Sequence, residues 1–300
     1  MRNKESEASC RAELTGNEII HVDCVDHVYP DGTMSLDGIC FSVNPGEIVA
    51  ICGPNGSGKT TLLEHLVGIL TPKKGRIMMF GKRLEKKSYK KVRRVVGLIF
   101  QNSDDQLFSP TVMDDVMFGP RNLGLSKEEA YQKAYDALKT VFGKFPKHLA
   151  DKIPHYLSGG EKKLVAIAGI LAMEPKAIVA DEITANLDPY HGRLVENILI
   201  KMKEELDISV VFATHDLNMA LRLADRVCLI DKGAIIKEGT PKEIFLDDDI
   251  LKLDLEIPQI LRIYRNLKQF FSDIAEDTIP RTVNQLNKLI NRLLKTNNLS

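Results

Sequence analysis

From residue 19 to residue 43, short apolar-rich stretches alternate with turns such as Pro30-Asp31-Gly32 and Asn44-Pro45-Gly46, which predicts antiparallel strands joined by tight loops. The texture then changes. Between residues 47 and 238, β-rich apolar runs at 47–52, 95–100, 177–180, 209–213 and 226–230 alternate with stretches of helical periodicity. That alternation predicts a largely parallel sheet wrapped by helices. Residues 127–141 put Ala130, Tyr131, Ala134, Ala137, Leu138 and Val141 on one helical face, inside an all-helical insertion expected over about 114–155. Past Gly239 the pattern is helical again. Ile257, Ile260, Leu261, Tyr264, Leu267 and Phe271 share one face, and Val283, Leu286, Leu289, Ile290 and Leu293 share another. The run Asp247-Asp248-Asp249 reads as a solvated helix start and not as a metal site.

Composition narrows the classes. The chain has 300 residues, 44% of them hydrophobic, enough for a sizeable core in one large or two modest domains. Its 41 basic and 41 acidic residues cancel, so no bulk field favours nucleic acid as a partner. Cys10, Cys24, Cys40, Cys52 and Cys228 never fall as C-x-x-C, which suits reduced thiols and argues against a zinc site. No run approaches the ~18 consecutive apolar residues of a membrane-spanning helix, and the polar first ten residues lack a signal-peptide core. Membrane association is therefore expected only through a partner.

The sharpest chemical feature is Gly53-Pro54-Asn55-Gly56-Ser57-Gly58-Lys59-Thr60-Thr61, which fits G-x-x-x-x-G-K-[ST] and follows an apolar strand. A strand, a glycine-rich turn and a helix start in that order aim backbone N–H groups and the positive helix end at one anion. Lys59 is expected on the β- and γ-phosphates and the Thr60 hydroxyl on Mg²⁺. Gly53, Gly56 and Gly58 are expected to supply positive φ and close backbone approach. The expected ligand is a nucleoside triphosphate with Mg²⁺.

Downstream, the strand at 177–180 ends in Asp181-Glu182. Such a strand is expected beside the loop's own strand, with Asp181 in the Mg²⁺ shell through water and Glu182 as general base or water-orienting residue. His215, ending the run Val211-Phe212-Ala213-Thr214, is a candidate partner of the γ-phosphate or the attacking water.

Leu157-Ser158-Gly159-Gly160-Glu161-Lys162 contains an S-x-x-E capping box, with two glycines leaving a helix N-terminus unobstructed. This motif, 23 positions before Asp181, resembles the signature of ABC ATPases. The resemblance runs from about residue 19 to 265. It implies that Tyr29 stacks on adenine, that Gln101 is the Q-loop glutamine contributing to catalysis and the Mg²⁺ shell, that Ala185-Asn186-Leu187-Asp188 is the D-loop and that His215 is the switch histidine. It also implies a dimer in which Ser158, Gly159, Gly160 and Glu161 of one chain close over the ATP held by the other.

The implied fold is an α/β P-loop NTPase cassette over 19–240, with an antiparallel β subdomain, a mostly parallel core sheet flanked by helices and a helical subdomain over about 114–173. A polar extension (1–18) precedes it and a helical extension (241–300) follows. Tyr29-Pro30-Asp31-Gly32-Thr33, the stretch from Phe100 through Asp104, Asp105 and Phe108, Phe118-Gly119-Pro120 and the helical tail resemble the ATPases of energy-coupling-factor importers, especially the cobalt or nickel type. Implied partners are a second ATPase chain, a transmembrane scaffold that docks beside Gln101 and a substrate-binding membrane protein, at the cytoplasmic face of the cell membrane. Vitamin uptake is the alternative cargo, and a soluble regulatory or nucleic-acid-associated ATPase the alternative class. Three residues depart from the family pattern: Glu161 for glutamine, Ile183 for proline and Asn186 for glycine. Glu161 keeps the capping role but places a carboxylate near phosphate charge across the interface, which is expected to weaken the site closed by the partner. Neither Ile183 nor Asn186 removes a group used in chemistry, so activity is expected.

Overall fold

β1 (Ile20–Val28) and β2 (Met34–Val43) pair antiparallel through the turn at 30–33, and β4 (Lys74–Met79) joins the other side of β1. With the short β5 (Lys82–Arg83) they form a four-stranded sheet in the order β2-β1-β4-β5. The computed structural model describes residues 17–247, 250, 255–271 and 279–296. Cys10, Asp248, Asp249 and most of the expected N-terminal extension lie outside them.

The second sheet contains β3 (Ile48–Cys52), β6 (Val96–Ile99), β7 (Ala177–Asp181), β8 (Ser209–Thr214), β9 (Arg226–Asp231) and β10 (Ala234–Gly239). Its order is β10-β9-β3-β8-β7-β6, parallel throughout except for the edge pair β9–β10. The strand bearing Asp181 is therefore not beside the phosphate-loop strand, as the sequence reading had it; β8 lies between them. An apolar run fixes that a strand is buried but carries no information on which neighbour it pairs with.

Both faces of this sheet are covered, which is why its strands read as unbroken apolar runs. Alternation assigns each side chain to a side. Ile48, Ala50 and Cys52 of β3, Ile178 and Ala180 of β7, and Val210 and Phe212 of β8 face one core. That core also takes Val116 from α3 (Val112–Asn122), Ala134 and Leu138 from α4 (Lys127–Phe142), Val165 and Ile167 from α6 (Gly159–Leu171) and Leu199 from α7 (Pro189–Leu206). Val49, Ile51, Val179, Val211 and Ala213 face the other core, with Leu62, Leu63 and Leu66 of α1 (Lys59–Leu66) and the inner face of the antiparallel sheet. Short helices α2 (Tyr89–Val92), α5 (Lys147–Ala150), α8 (Leu217–Leu223) and α9 (Pro241–Phe245) complete the cassette.

The expected helical insertion is present as α3 to α5, and the tail as α10 (Gln259–Phe270) and α11 (Val283–Thr296). Leu261, Tyr264, Leu286 and Leu293 are buried as the periodicity requires, whereas Val283, at the first turn of α11, is exposed. Asp247 is ion-paired with Lys237, and the other two residues of that acidic run lie outside the described residues. Pairing of β1 with β2 also brings the Cys24 and Cys40 sulfurs to 3.4 Å, a proximity that sequence spacing did not reveal. Among the described residues, no helix is long and apolar enough to cross a membrane.

Candidate nucleotide site

The carboxyl ends of β3, β8 and β7 deliver three groups to one place. After β3, the chain turns through Gly53–Gly58 into α1. Gly56 (φ 78°) and Gly58 (φ 104°) hold the left-handed backbone expected of them. Gly53 does not: it is needed for close approach alone, since a Cβ there would meet the Ile230 carbonyl oxygen at 2.1 Å. Lys59 is almost fully buried and its Nζ donates to the carbonyls of Gly53 and Pro54, both at 2.9 Å. Burial lowers its pKa, and the carboxylates of Glu182 and Asp181 oppose that shift.

Thr60 Oγ1 donates to Asp181 Oδ2 at 2.7 Å, tying the phosphate loop to the end of β7 across the intervening strand. Asp181 Oδ1 is buried and has no hydrogen-bond partner among the described residues. Burial holds the Asp181 carboxyl above the ordinary carboxylate range, against the Thr60 hydrogen bond. A buried, unpartnered carboxylate oxygen beside a hydroxyl is an all-oxygen donor set that fits a hard cation such as Mg²⁺.

Glu182 follows with φ 42°, a left-handed conformation uncommon for a residue with a Cβ. Its Oε1 accepts from the His215 amide at 3.1 Å and lies 2.8 Å from His215 Nδ1. Asn186 is also left-handed (φ 61°), which explains why asparagine stands where glycine is frequent: its short polar side chain tolerates that region. Ile183 is fully buried in the helix-side core.

Lys59, Thr60, Thr61, Asn55, Gly56 and Gly58 line a cavity of about 430 Å³ together with Gln101, Asp181, Glu182 and His215. Tyr29 closes one side, its hydroxyl 2.9 Å from Thr61 Oγ1 and its ring edge-on to His27 at 4.7 Å. Thr33, Met34 and Ser35 line it too, and Ser35 Oγ donates to Thr61 Oγ1 at 2.8 Å. Sequence reasoning missed these three; the signal was their position just past the turn from Tyr29, at the start of β2. A larger cleft of about 680 Å³ at the opposite ends of β7 and β8 contains none of the phosphate-loop residues.

Ser158, Gly159, Gly160 and Glu161 do not line the cavity. They form the start of α6, where Ser158 and Gly159 are exposed, Glu161 is half-buried and Gly160 is buried. The expected capping box is in place: the Ser158 amide donates to Glu161 Oε2 at 2.9 Å, and the Glu161 amide to Ser158 Oγ at 3.3 Å. The Ser158 hydroxyl also donates to Glu161 Oε2, at 2.8 Å. Burial opposes ionisation of Glu161, yet the two Ser158 donors hold its carboxyl below the ordinary range. A Cβ at Gly160 would strike the His191 ring at 2.3 Å, and His191 Nδ1 is paired with Asp188, the N-cap of α7. The glycine helix start and the cavity lined by the phosphate loop are thus separate on one chain.

The sequence profile described as ABC transporter matches residues 36–185. The energy-coupling factor transporter ATP-binding protein EcfA of Methanocaldococcus jannaschii is 46% identical over 84% of this chain and 88% of that protein. Its counterpart from Methanococcus maripaludis is 44% identical over 82% of this chain and 88% of its own length. Among solved structures, CbiO1 of Clostridium perfringens, part of the ABC transporter complex CbiONQ, superposes with a TM-score of 0.71 at 40% identity, covering 83% of this chain and 99% of that one. The dimeric post-hydrolysis cassette MJ0796 bound to ADP and Pi gives 0.67 at 29% identity over 74% of this chain and 98% of its own. The chain accordingly belongs to the ABC transporter family and is one of its ATP-hydrolysing cassettes.

Proposed function

We propose that this chain is the ATPase subunit of an energy-coupling-factor importer, working as a dimer at the cytoplasmic face of the membrane to energise uptake of cobalt or nickel. The observation that carries the nucleotide chemistry is the single cavity shared by Lys59, Thr60, Gln101, Asp181, Glu182 and His215. The cargo reading leans on the likeness to CbiO1 and on the energy-coupling relatives.

In this reading Tyr29 stacks on adenine, the amides of residues 53–61 cradle the phosphates and Lys59 contributes its charge to the β- and γ-phosphates. Thr60, Asp181 and Gln101 would hold Mg²⁺, which when bound neutralises triphosphate charge. Glu182 receives the proton of the attacking water, and His215, bonded to the same carboxylate, fixes the direction of that acceptor. Ser158, Gly159 and Gly160 supply a second set of donors, from the helix start of one cassette to the nucleotide of its partner. Glu161 orders that start by capping it. The other partners are a transmembrane scaffold, received beside Gln101, and a membrane protein that binds the cargo.

The test is to purify the complex from membranes, place it in vesicles supplied with ATP and measure uptake of cobalt and nickel. ATP-dependent accumulation of either ion supports the reading. Accumulation of a vitamin instead favours the second reading, which the relatives' names, silent on any metal, also accommodate. Purification without any membrane protein would overturn both.

A further inference from the structure

Lys163 lies in the first turns of α6, on the inward face of the helix that begins with Ser158, Gly159 and Gly160. Its side chain is 2% exposed, among the largest fully buried in the described residues. A buried ammonium group costs several kcal/mol in lost hydration, a cost that a methionine of similar length would avoid. What the ammonium gives in return is specific. Nζ donates to the carbonyl of Phe100 at 2.9 Å and to that of Gln101 at 2.7 Å, the first two residues beyond β6. Backbone carbonyls of a chain leaving a sheet need donors from elsewhere, and here one side chain serves both. Two further bonds join the same loop to the same helix: Lys162 Nζ donates to Asp104 Oδ1 at 2.6 Å, and Gln106 Nε2 to the Ala166 carbonyl at 3.2 Å. Lys163 is the one that grips the residue lining the nucleotide cavity. Burial lowers its pKa to about 8, and the nearby Asp181 carboxylate works against that shift.

We propose that Lys163 is a positioning residue for ATP hydrolysis: by clamping the Phe100 and Gln101 carbonyls it sets where the Gln101 side chain stands in the cavity, and it ties that placement to the helix start offered to the partner cassette. The inference rests on the reading of Gln101 given above. It differs from a packing role in that the loss should appear in turnover and vanish when Gln101 is absent.

The experiment uses the full chain with MgATP and four variants: Lys163→Met, Lys163→Gln, Gln101→Ala and the double variant Lys163→Met/Gln101→Ala. Lys163→Met is expected to lower kcat about 10²-fold, as misplacement of a reacting group does, with KM for ATP within about threefold of the parent. Lys163→Gln keeps N–H donors on a shorter stem and is expected to recover at least about tenfold of that loss. In the Gln101→Ala background, Lys163→Met should cost nothing further. Turnover unaffected by Lys163→Met while Gln101→Ala impairs it, or losses that multiply in the double variant, would overturn the clamp alone. Full turnover in Gln101→Ala would overturn the reading of Gln101 and the clamp with it. If neither Lys163 variant gives a cooperative melt, the lysine belongs to the core and the proposal fails.

Discussion

Glu182 Oε1 lies 2.8 Å from His215 Nδ1 and also accepts the backbone amide of His215 at 3.1 Å. The carboxylate is therefore held from two directions by one residue at the end of the neighbouring strand, and its own backbone is left-handed. Glu182→Gln keeps an acceptor oxygen for both donors but removes the negative charge and with it the ability to take a proton. Turnover should fall about 10²–10⁴-fold while nucleotide affinity stays within a few-fold, and an ATP-bound dimer should accumulate on size exclusion. Full turnover would take Glu182 out of the mechanism.

Lys59 presents the loop's one buried ammonium group, held by the Gly53 and Pro54 carbonyls. Lys59→Ala removes charge-assisted bonds of about 1.5–3 kcal/mol, so the Kd for ATP should rise roughly 10–100-fold in a calorimetric titration. Unchanged affinity would contradict the phosphate assignment.

Glu161 holds the Ser158 hydroxyl proton on a carboxylate at 2.8 Å. Glu161→Gln preserves the cap through its amide oxygen and removes a negative charge from the helix end that the proposed dimer turns toward the partner's phosphates. Turnover is expected to hold or rise, with KM for ATP unchanged or lower. A large loss would give the carboxylate a positive role in the reaction.

Beneath the phosphate loop, His65 is fully buried, its Nδ1 2.7 Å from the Thr61 carbonyl, with the His27 ring edge-on at 4.7 Å. Burial lowers the pKa of both rings, with smaller like-charge contributions from His27 on His65 and from Lys73 on His27. A histidine with a depressed folded pKa takes up its proton more readily in the unfolded chain, so stability is full above the unfolded value of ~6.5 and declines as pH falls below it. His65→Gln retains an N–H for the Thr61 carbonyl but does not titrate. Its thermal midpoint should vary less between about pH 7.5 and 5.5 than that of the parent, where each 1 kcal/mol moves Tm by roughly 2–4 °C. Equal slopes would show that the two rings do not set the acid limit.

The phosphate loop, the acid pair, the capping box and the five core strands were legible because each rests on local sequence: a fixed spacing, a strand end or an apolar run. Strand order was not, because β3, β7 and β8 are all apolar on both faces and any of them fits beside any other. Gly53 was misjudged in the same way. Its neighbour is the Ile230 carbonyl, 177 residues away in sequence, and no local pattern reports that approach. Lys163 sits in a run of polar and apolar positions where lysine reads as surface, yet the side chain is turned inward to the Phe100 and Gln101 carbonyls, which only the fold brings within reach.

The interposed β8 turns the sheet into a ruler. The phosphate loop, His215 and the acid pair leave three consecutive parallel strands, so their separations are set by the ~4.8 Å repeat between neighbouring strands and not by the side chains themselves. Chemistry at the strand ends can be exchanged residue by residue while the gauge of the workbench stays the same.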